Sequence, residues 1–128
     1  MRTKDIIYVQ GGNTFYLLKY ARKSGFDEVV KDVIKKGVIY IGVSAGSIIA
    51  GPSIEIFFDK NIVNVEDLRG LNLIPFAIAP HFREDKRECL RQEAVSFFYP
   101  VRVLTDDQAL LIRDGAVTLV GKGKEISI

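Results

Sequence analysis

The chain has 128 residues, of which 48% are hydrophobic and 27% are charged. This composition fits one globular domain with a buried core, and it excludes disorder as a description of the whole chain. The net charge is only +2, no tryptophan is present, and basic residues alternate with acids along predicted helices, so we expect no nucleic-acid partner.

Residues 5–42 predict a strand, two helices and a second strand. The apolar runs 5–9 and 38–42 are typical of strands buried on both faces. Asn13 or Thr14 can cap the first helix, and Ser24-Gly25 separates it from a second helix that ends at Gly37. This order indicates a βαβ crossover with parallel strands. The predicted core positions are Phe15, Leu18 and Ala21 in the first helix and Phe26, Val29, Val30, Val33 and Ile34 in the second.

The longest uncharged stretch, residues 37–54, raises the question of a membrane span. It contains four glycines, three serines and a proline. A lipid-spanning helix needs about 20 predominantly apolar residues. A buried strand, a turn and a short helix fit the stretch better, and we expect no membrane partner.

The second half of the chain predicts further strands, a loop and a third helix. Residues 53–58 read as a strand with partial alternation, 59–75 as a loop, 76–79 as a strand and 101–104 as another. Residues 84–98 predict a helix with Leu90, Ala94, Phe97 and Phe98 on one face. The single cysteine, Cys89, falls in that helix as a small structural residue, and its solitary state favours a reducing, cytoplasmic location. Segments 109–112 and 116–120 flank the hairpin turn signal Asp114-Gly115.

These elements predict one α/β domain over residues 1–128. Its sheet is mainly parallel and flanked by helices, and its C-terminal hairpin is antiparallel.

The segment Gly42-Val43-Ser44-Ala45-Gly46 fits the G-x-S-x-G pattern of a nucleophile elbow. It directly follows a predicted buried strand and precedes a short apolar helix. A serine on such a strand-turn-helix lies at a helix N-terminus, where free backbone N–H groups can stabilise an oxyanion. We therefore interpret Ser44 as a catalytic nucleophile rather than as part of a simple tight turn.

A serine nucleophile needs a base, and His81 is the only histidine in the chain. It follows a predicted strand, as Ser44 does, and the carboxyl ends of parallel strands are where α/β proteins place their sites. A carboxylate should orient the imidazole, and four candidates remain open at this point: Asp59, Asp85, Asp106 and Asp107. The last two follow strand 101–104 and so lie beyond a strand end.

The segment Gln10-Gly11-Gly12-Asn13-Thr14 joins a predicted strand to a helix. Its glycines allow close backbone approach, and their N–H groups could complete an oxyanion hole. A phosphate-binding loop is a weak alternative, because the Gly-Lys-Ser/Thr ending is absent. The order Ser44, His81, Asp106 also differs from the Ser, Asp, His order of α/β-hydrolases, which argues against a lipase or esterase of that fold.

Three segments together resemble the peptidase E family of serine peptidases, which is related to cyanophycinase. They are residues 7–18 with Gly11-Gly12-Asn13-Thr14-Phe15, residues 41–50 around Ser44, and residues 71–82 with Pro80-His81-Phe82. They occur in the family's order, and the resemblance covers essentially the whole chain. It implies a class I glutamine amidotransferase-like fold, shortened at the N-terminus, since family members usually carry two or three further βα units there.

The resemblance also implies an activity, removal of N-terminal aspartyl residues from dipeptides without metal or cofactor. It makes Ser44 the nucleophile, His81 the base and Asp106 the third member, with Asp107 chosen by a neighbouring alignment. The backbone of Ala45 and of Gly11 or Gly12 would form the oxyanion hole. For substrate binding, the resemblance indicates Asp59, and Asn13 and Arg83 lie in or beside the matching segments.

Two departures from the family pattern bear on specificity and assembly. Glu55 stands where the family has an Arg, and it would repel a substrate carboxylate, so strict aspartyl selectivity is not expected. The first strand would expose an edge, and adjacent Phe57 and Phe58 are hard to bury together, so we expect a homodimer. Three alternatives remain: a partner chain could supply the further βα units, residues 120–128 could cover the edge of a monomer, and the chain could be a catalytically silent binding or assembly module.

Overall fold

A computed structural model describes residues 5–55 and 59–128. The elements, in chain order, are β1 (Ile6–Val9), α1 (Thr14–Lys23), α2 (Phe26–Lys35), β2 (Ile39–Gly42), α3 (Ala45–Ile48), β3 (Ala77–Ala79), a 3-10 turn (Glu84–Lys86), α4 (Arg87–Val95), β4 (Val101–Val103), β5 (Gln108–Arg113) and β6 (Ala116–Gly121). No helix within these two ranges has the length and apolar character needed to cross a bilayer.

The described strands form three hydrogen-bonded pairs. β1 pairs with β2 and β3 with β4, both in parallel, whereas β5 and β6 form an antiparallel hairpin. The predicted parallel pairing and the hairpin are thus confirmed. Within the described ranges the pairs do not join through strand ladders into the one sheet that was expected. Asp114 and Gly115 both have positive φ, as the tight hairpin turn requires.

The helices α1 and α2 begin and end where the residues at their boundaries predict. The Asn13 side chain accepts a hydrogen bond from the Tyr16 amide and caps α1, and Ser24 follows its last residue. Gly25, with a φ of 81°, directly precedes α2, and Gly37, with a φ of 99°, follows its end. The boundaries of α1 and α2 are therefore determined by residues at or next to each boundary, which can be recognised in the sequence.

Among the described residues, the buried apolar side chains form three clusters. The largest joins α1, α2 and α3 to one face of the β1–β2 pair, and Phe15, Leu18, Val30 and Ile49 are almost fully buried in it. The second lies between α4 and the β3–β4 pair, and its buried members are Ala77, Ala79, Phe82, Leu90, Tyr99 and Val103. The third holds Phe76, Ile78 and Leu104 under the hairpin.

The prediction that β1 and β2 are buried on both faces is wrong. The helices pack on the Val9 and Tyr40 side only, so the opposite side chains lie in solvent. We call this surface the open face; its members are Ile6 (53% exposed), Tyr8 (55%), Ile39 (57%), Ile41 (38%) and Val43 (41%). The register places Ile6 beside Ile39 and Tyr8 beside Ile41, so the exposed side chains are contiguous.

Two predicted apolar helix positions are also wrong. Val29 is 43% exposed because α2 presents Val30 and Val33 to the core instead. Phe98 is 97% exposed because α4 ends at Val95 and the chain then turns so that Tyr99 is buried before β4. The predicted 84–98 helix is thus a 3-10 turn followed by nine residues of α-helix.

The predicted strand 53–58 is reduced, in its described part, to a single bridge between Ser53 and Arg69. Residues 56–58 lie outside the described residues, and the argument from Phe57 and Phe58 lies there with them. The suggestion that residues 120–128 cover the first strand is wrong, because Ile126 bridges Val103 of β4 and packs with Ile128 on the α4 side of the molecule.

Candidate active site

Ser44 lies between the carboxyl end of β2 and the start of α3. Its backbone has φ 57° and ψ −117°, a strained conformation for a residue with a side chain. The flanking glycines are required by contact: a Cβ on Gly42 would lie 2.6 Å from the Gly46 carbonyl oxygen, and one on Gly46 would lie 2.1 Å from the Val9 carbonyl oxygen. The Gly-x-Ser-x-Gly spacing is therefore needed because the backbone passes too close to both glycine positions for a side chain to fit.

His81 lies two residues after β3, behind Pro80, and also has a positive φ, of 60°. Its Nε2 atom lies 2.9 Å from the Oγ atom of Ser44. Ser44 and His81 are both non-glycine residues with a positive φ, each lies beyond the carboxyl end of a parallel strand, and their side chains are in contact. Strained backbone of this kind is typical of functional sites.

Asp106 completes a hydrogen-bonded series with these two residues. It follows β4, the partner strand of β3, and its Oδ1 atom lies 2.5 Å from His81 Nδ1. Of the four carboxylates that the sequence left open, this is the one that the structure brings to the imidazole. The side chain of Asp85 pairs with Arg83, and that of Asp59 binds Thr14.

This geometry has a definite chemical capability. With a proton on Nδ1 shared with the Asp106 carboxylate, the Nε2 lone pair faces the Ser44 hydroxyl and can accept its proton. The side chains of His81 and Asp106 are 55% and 77% exposed, so the series is open to solvent and to a ligand.

The backbone of Gly11 lies beside the Ser44 side chain. A Cβ on Gly11 would be 3.1 Å from the Ser44 Cβ and 3.3 Å from its Oγ. Gly12 has a φ of 111°, which only glycine adopts readily, so it turns the loop away before α1 begins. The Ala45 N–H is the first of α3 and has no acceptor within that helix. That these N–H groups stabilise negative charge beside Ser44 stays a prediction.

The three residues predicted to contact substrate have partners inside the molecule. Asn13 caps α1 and donates from Nδ2 to the Lys60 carbonyl at 2.8 Å. Asp59 accepts from the Thr14 amide at 2.8 Å and from the Thr14 hydroxyl at 2.6 Å, so it anchors the start of α1. Arg83 pairs with Asp85 at 2.8 Å. Substrate contact by these residues stays a prediction.

Glu55 is tied to two hydroxyls. Its Oε2 atom accepts hydrogen bonds from Ser53 at 3.0 Å and from Tyr99 at 2.9 Å. Burial raises the pKa of Tyr99 to about 12, with a further increase from the Glu55 carboxylate and a partial offset from the Ser53 contact. Tyr99 comes just before β4, whereas Asp106 comes just after it, so these tyrosine contacts lie at the strand ends opposite the Ser44 side.

Sequence reasoning missed Tyr40. Its hydroxyl donates a 2.7 Å hydrogen bond to the Gly46 carbonyl, and burial raises its pKa above the usual range. The available signal was its position four residues before Ser44, on a strand that leads directly into the turn.

The parallel strand pairs, the packed helices and the antiparallel hairpin define an α/β protein. The sequence model of peptidase family S51 matches residues 1–120, and the chain belongs to this family. The resemblance to peptidase E is thereby confirmed.

Known proteins support this assignment. The chain is 33% identical over 123 residues to the uncharacterized peptidase Lmo0363 of Listeria monocytogenes, covering 88% of this chain and 58% of that protein. It is 46% identical over 78 residues to peptidase E of Escherichia coli O1:K1, covering 61% of this chain and 34% of the enzyme. The crystal structure of a candidate peptidase E protein from Listeria monocytogenes EGD-e superposes with a TM-score of 0.80 at 31% identity, covering 95% of this chain and 62% of that one.

A peptidase from an acI-B1 actinobacterium shares the fold at 18% identity, with a TM-score of 0.70 over 94% of this chain and 52% of that one. The chain thus spans about three-fifths or less of the length of these relatives.

Proposed function

We propose that this chain is a serine-type peptidase that hydrolyses short peptides such as dipeptides. The observation that carries the proposal is the continuous contact from Ser44 Oγ to His81 Nε2 and from His81 Nδ1 to Asp106. Membership of a peptidase family supports the choice of a peptide bond as the substrate bond. Reading the Ser44 turn as a nucleophile elbow, on a fold of the class I glutamine amidotransferase type, belongs to the same proposal.

The proposed reaction has two halves. Ser44 Oγ attacks the peptide carbonyl carbon while its proton passes to His81 Nε2, and the carbonyl oxygen becomes an oxyanion facing the amides of Ala45 and of Gly11 or Gly12. The C–N bond then breaks, His81 returns the proton to the leaving amine, and the acyl group stays on Ser44. Water then attacks this ester while His81 accepts its proton, and His81 returns that proton to Ser44 Oγ as the ester C–O bond breaks and the acid is released. Every proton is carried by side chains of the chain itself.

Asp106 keeps the imidazole oriented and stabilises the imidazolium form in each half. Asp107, the next residue, is the control for Asp106. The main-chain carbonyl of Asp107 accepts a hydrogen bond from the Lys122 amide, and this bond does not depend on the Asp107 side chain. Asp106→Asn should therefore impair hydrolysis far more than Asp107→Asn.

The experiment combines hydrolysis of a dipeptide library with labelling by a fluorophosphonate. Wild-type protein is expected to form one adduct, on Ser44, and Ser44→Ala or His81→Ala should lower turnover by about a thousandfold or more. Ser96→Ala, at the exposed end of α4, is the matched control for the serine change. Hydrolysis by Ser44→Ala at the wild-type rate would overturn the proposal. If the wild-type protein forms no adduct and hydrolyses no dipeptide, the result would favour a non-catalytic binding or assembly module.

The library also addresses selectivity. Glu55 is committed to Ser53 and Tyr99, and Arg83 to Asp85, so neither is a free charge dedicated to a substrate aspartate. We therefore propose broader selectivity than N-terminal aspartate alone. A strong preference for Asp-Leu over Ala-Leu that disappears in Arg83→Ala would contradict this part.

A further inference from the structure

Tyr40 lies beneath the turn that carries Ser44. It is the second residue of β2, and its ring lies close to Gly42, where an added Cβ would come within 2.8 Å of Tyr40 Cε1. Its hydroxyl passes this glycine and donates to the Gly46 carbonyl at 2.7 Å. The missing side chain of Gly42 thus makes the room through which a tyrosine reaches the far side of the turn.

The accepting carbonyl belongs to a segment with few bonds of its own. α3 has only four residues, Ala45–Ile48, so its short hydrogen-bond ladder cannot hold the helix rigidly. The Ser44 carbonyl is held by the amides of Ser47 and Ile48 and by the Ser47 hydroxyl. The Gly46 carbonyl, two residues further along the chain, accepts the hydrogen bond from Tyr40.

Gly46 is also restrained from its other side. Its amide donates to the Val43 carbonyl at 3.0 Å, and its α-carbon faces the Val9 carbonyl so closely that no Cβ could fit. Gly46 is therefore held between β1 and the Tyr40 hydroxyl. Because Ala45 directly precedes Gly46, restraint of the Gly46 backbone also restrains the orientation of the Ala45 N–H.

We propose that Tyr40 is a positioning residue that holds the start of α3, and with it the Ser44 hydroxyl and the Ala45 N–H, in the orientation that acylation needs. This inference rests on the proposed function. Tyr40 acts through the Gly46 backbone and takes no part in proton transfer. Phenylalanine has the same ring but no hydroxyl, so it cannot donate the hydrogen bond that holds the Gly46 carbonyl.

A burial role and a positioning role make different predictions. If Tyr40 only fills space, Tyr40→Phe keeps the ring and leaves the acylation rate unchanged. If the hydroxyl orients the turn, the same change lowers the maximal acylation rate and leaves the half-saturating probe concentration unaltered, because the probe-binding surface is intact. Tyr16→Phe is the matched control, since Tyr16 lies on α1 and is 50% exposed.

The experiment measures fluorophosphonate labelling of the full chain over a range of probe concentrations. For Tyr40→Phe we expect a maximal labelling rate about tenfold lower, because a tenfold change in rate corresponds roughly to the free energy of one hydrogen bond. For Tyr16→Phe we expect no change. A variant carrying 4-aminophenylalanine in place of Tyr40 keeps a donor facing Gly46 and should recover most of the rate. Circular dichroism verifies that each variant is folded.

The possible outcomes are distinct. Labelling of Tyr40→Phe at the wild-type maximal rate overturns the inference while leaving the proposed function intact. If Tyr40→Phe does not fold, the 4-aminophenylalanine variant decides: labelling near the wild-type rate supports the inference, and slow labelling or failure to fold overturns it. Absence of labelling in the wild type refutes the proposed function itself and the inference with it.

Discussion

Replacing Gly46 by alanine tests the backbone crossing on which the Ser44 turn depends. The new Cβ would lie 2.1 Å from the Val9 carbonyl oxygen and 2.8 Å from its carbon. Both neighbours are backbone atoms of β1, so no side chain can rotate away to relieve the contact. The strand and α3 would have to move apart by roughly 1 Å before a tolerable contact is reached.

The magnitude follows from that displacement. Overpacking a rigid interior typically costs about 1–3 kcal/mol, and a backbone-to-backbone clash belongs at the upper end. For a chain of this size, about 3 kcal/mol corresponds to a decrease in Tm of roughly 10 °C. A 1 Å error in the position of a reacting group costs on the order of a hundredfold in rate. We therefore expect Gly46→Ala to lose both stability and activity.

The assay is denaturant unfolding followed by fluorophosphonate labelling of the folded fraction. Gly25→Ala is the control, because a Cβ there meets no atom within 4 Å and costs only the strain of its positive φ. We expect about 1 kcal/mol of destabilisation for the control, with normal labelling. If Gly46→Ala matches wild type in both stability and labelling, the steric account of the Gly-x-Ser-x-Gly spacing is refuted.

Three other predictions concern stability, pH and assembly. Asp59→Ala should destabilise the chain by about 2 kcal/mol in urea unfolding, because it removes both hydrogen bonds to Thr14, whereas exposed Asp32→Ala should have little effect; equal effects would contradict the anchoring role. The pKa of Tyr99 is raised to about 12 in the folded chain, so the folded state keeps this proton better than the unfolded state does. Its stabilising contribution is complete below about pH 10 and declines as the pH rises towards 12, and Tyr99→Phe should flatten this alkaline decline in urea midpoint. The apolar open face predicts a twofold homodimer, since apolar surface contributes roughly 25 cal/mol per Å2 and stable interfaces bury about 800 Å2 per partner. Sedimentation giving one species near 14.3 kDa would count against it.

Much of the fold was predictable because its signals are local. The cap at Asn13, the break at Gly25 and the hairpin at Asp114 depend on residues within a few positions of the boundary they define. The parallel pairing also followed from the βαβ order. The exposure of β1 and β2 could not be predicted in this way, because an apolar strand looks the same in sequence whether one face or both are covered.

The candidate site shows the same division. Ser44 and His81 stood out because each follows a strand and each is the residue type that the chemistry needs. The residues alone left four carboxylates open, and the family resemblance chose Asp106. The β3–β4 pairing gives the physical reason, because it places the end of β4 beside the end of β3 and so brings Asp106 to His81. The position of Tyr40 near Ser44 was visible in the sequence, but its hydrogen bond to the Gly46 carbonyl was not, because that contact depends on the space left by Gly42.

The positive φ angles of Ser44 and His81 restrict which side chains this site can ever carry. Threonine has a second substituent on Cβ, and a β-branched residue at a φ near 57° is a severe outlier, so a threonine hydroxyl cannot take the place of the Ser44 hydroxyl without remodelling the turn. Cysteine is unbranched and carries a nucleophilic atom at the same position. Of the two residues that most resemble serine in carrying a nucleophilic atom on Cβ, the backbone thus admits cysteine and not threonine, so Ser44→Cys would change the proposed attacking atom while keeping the shape of the turn.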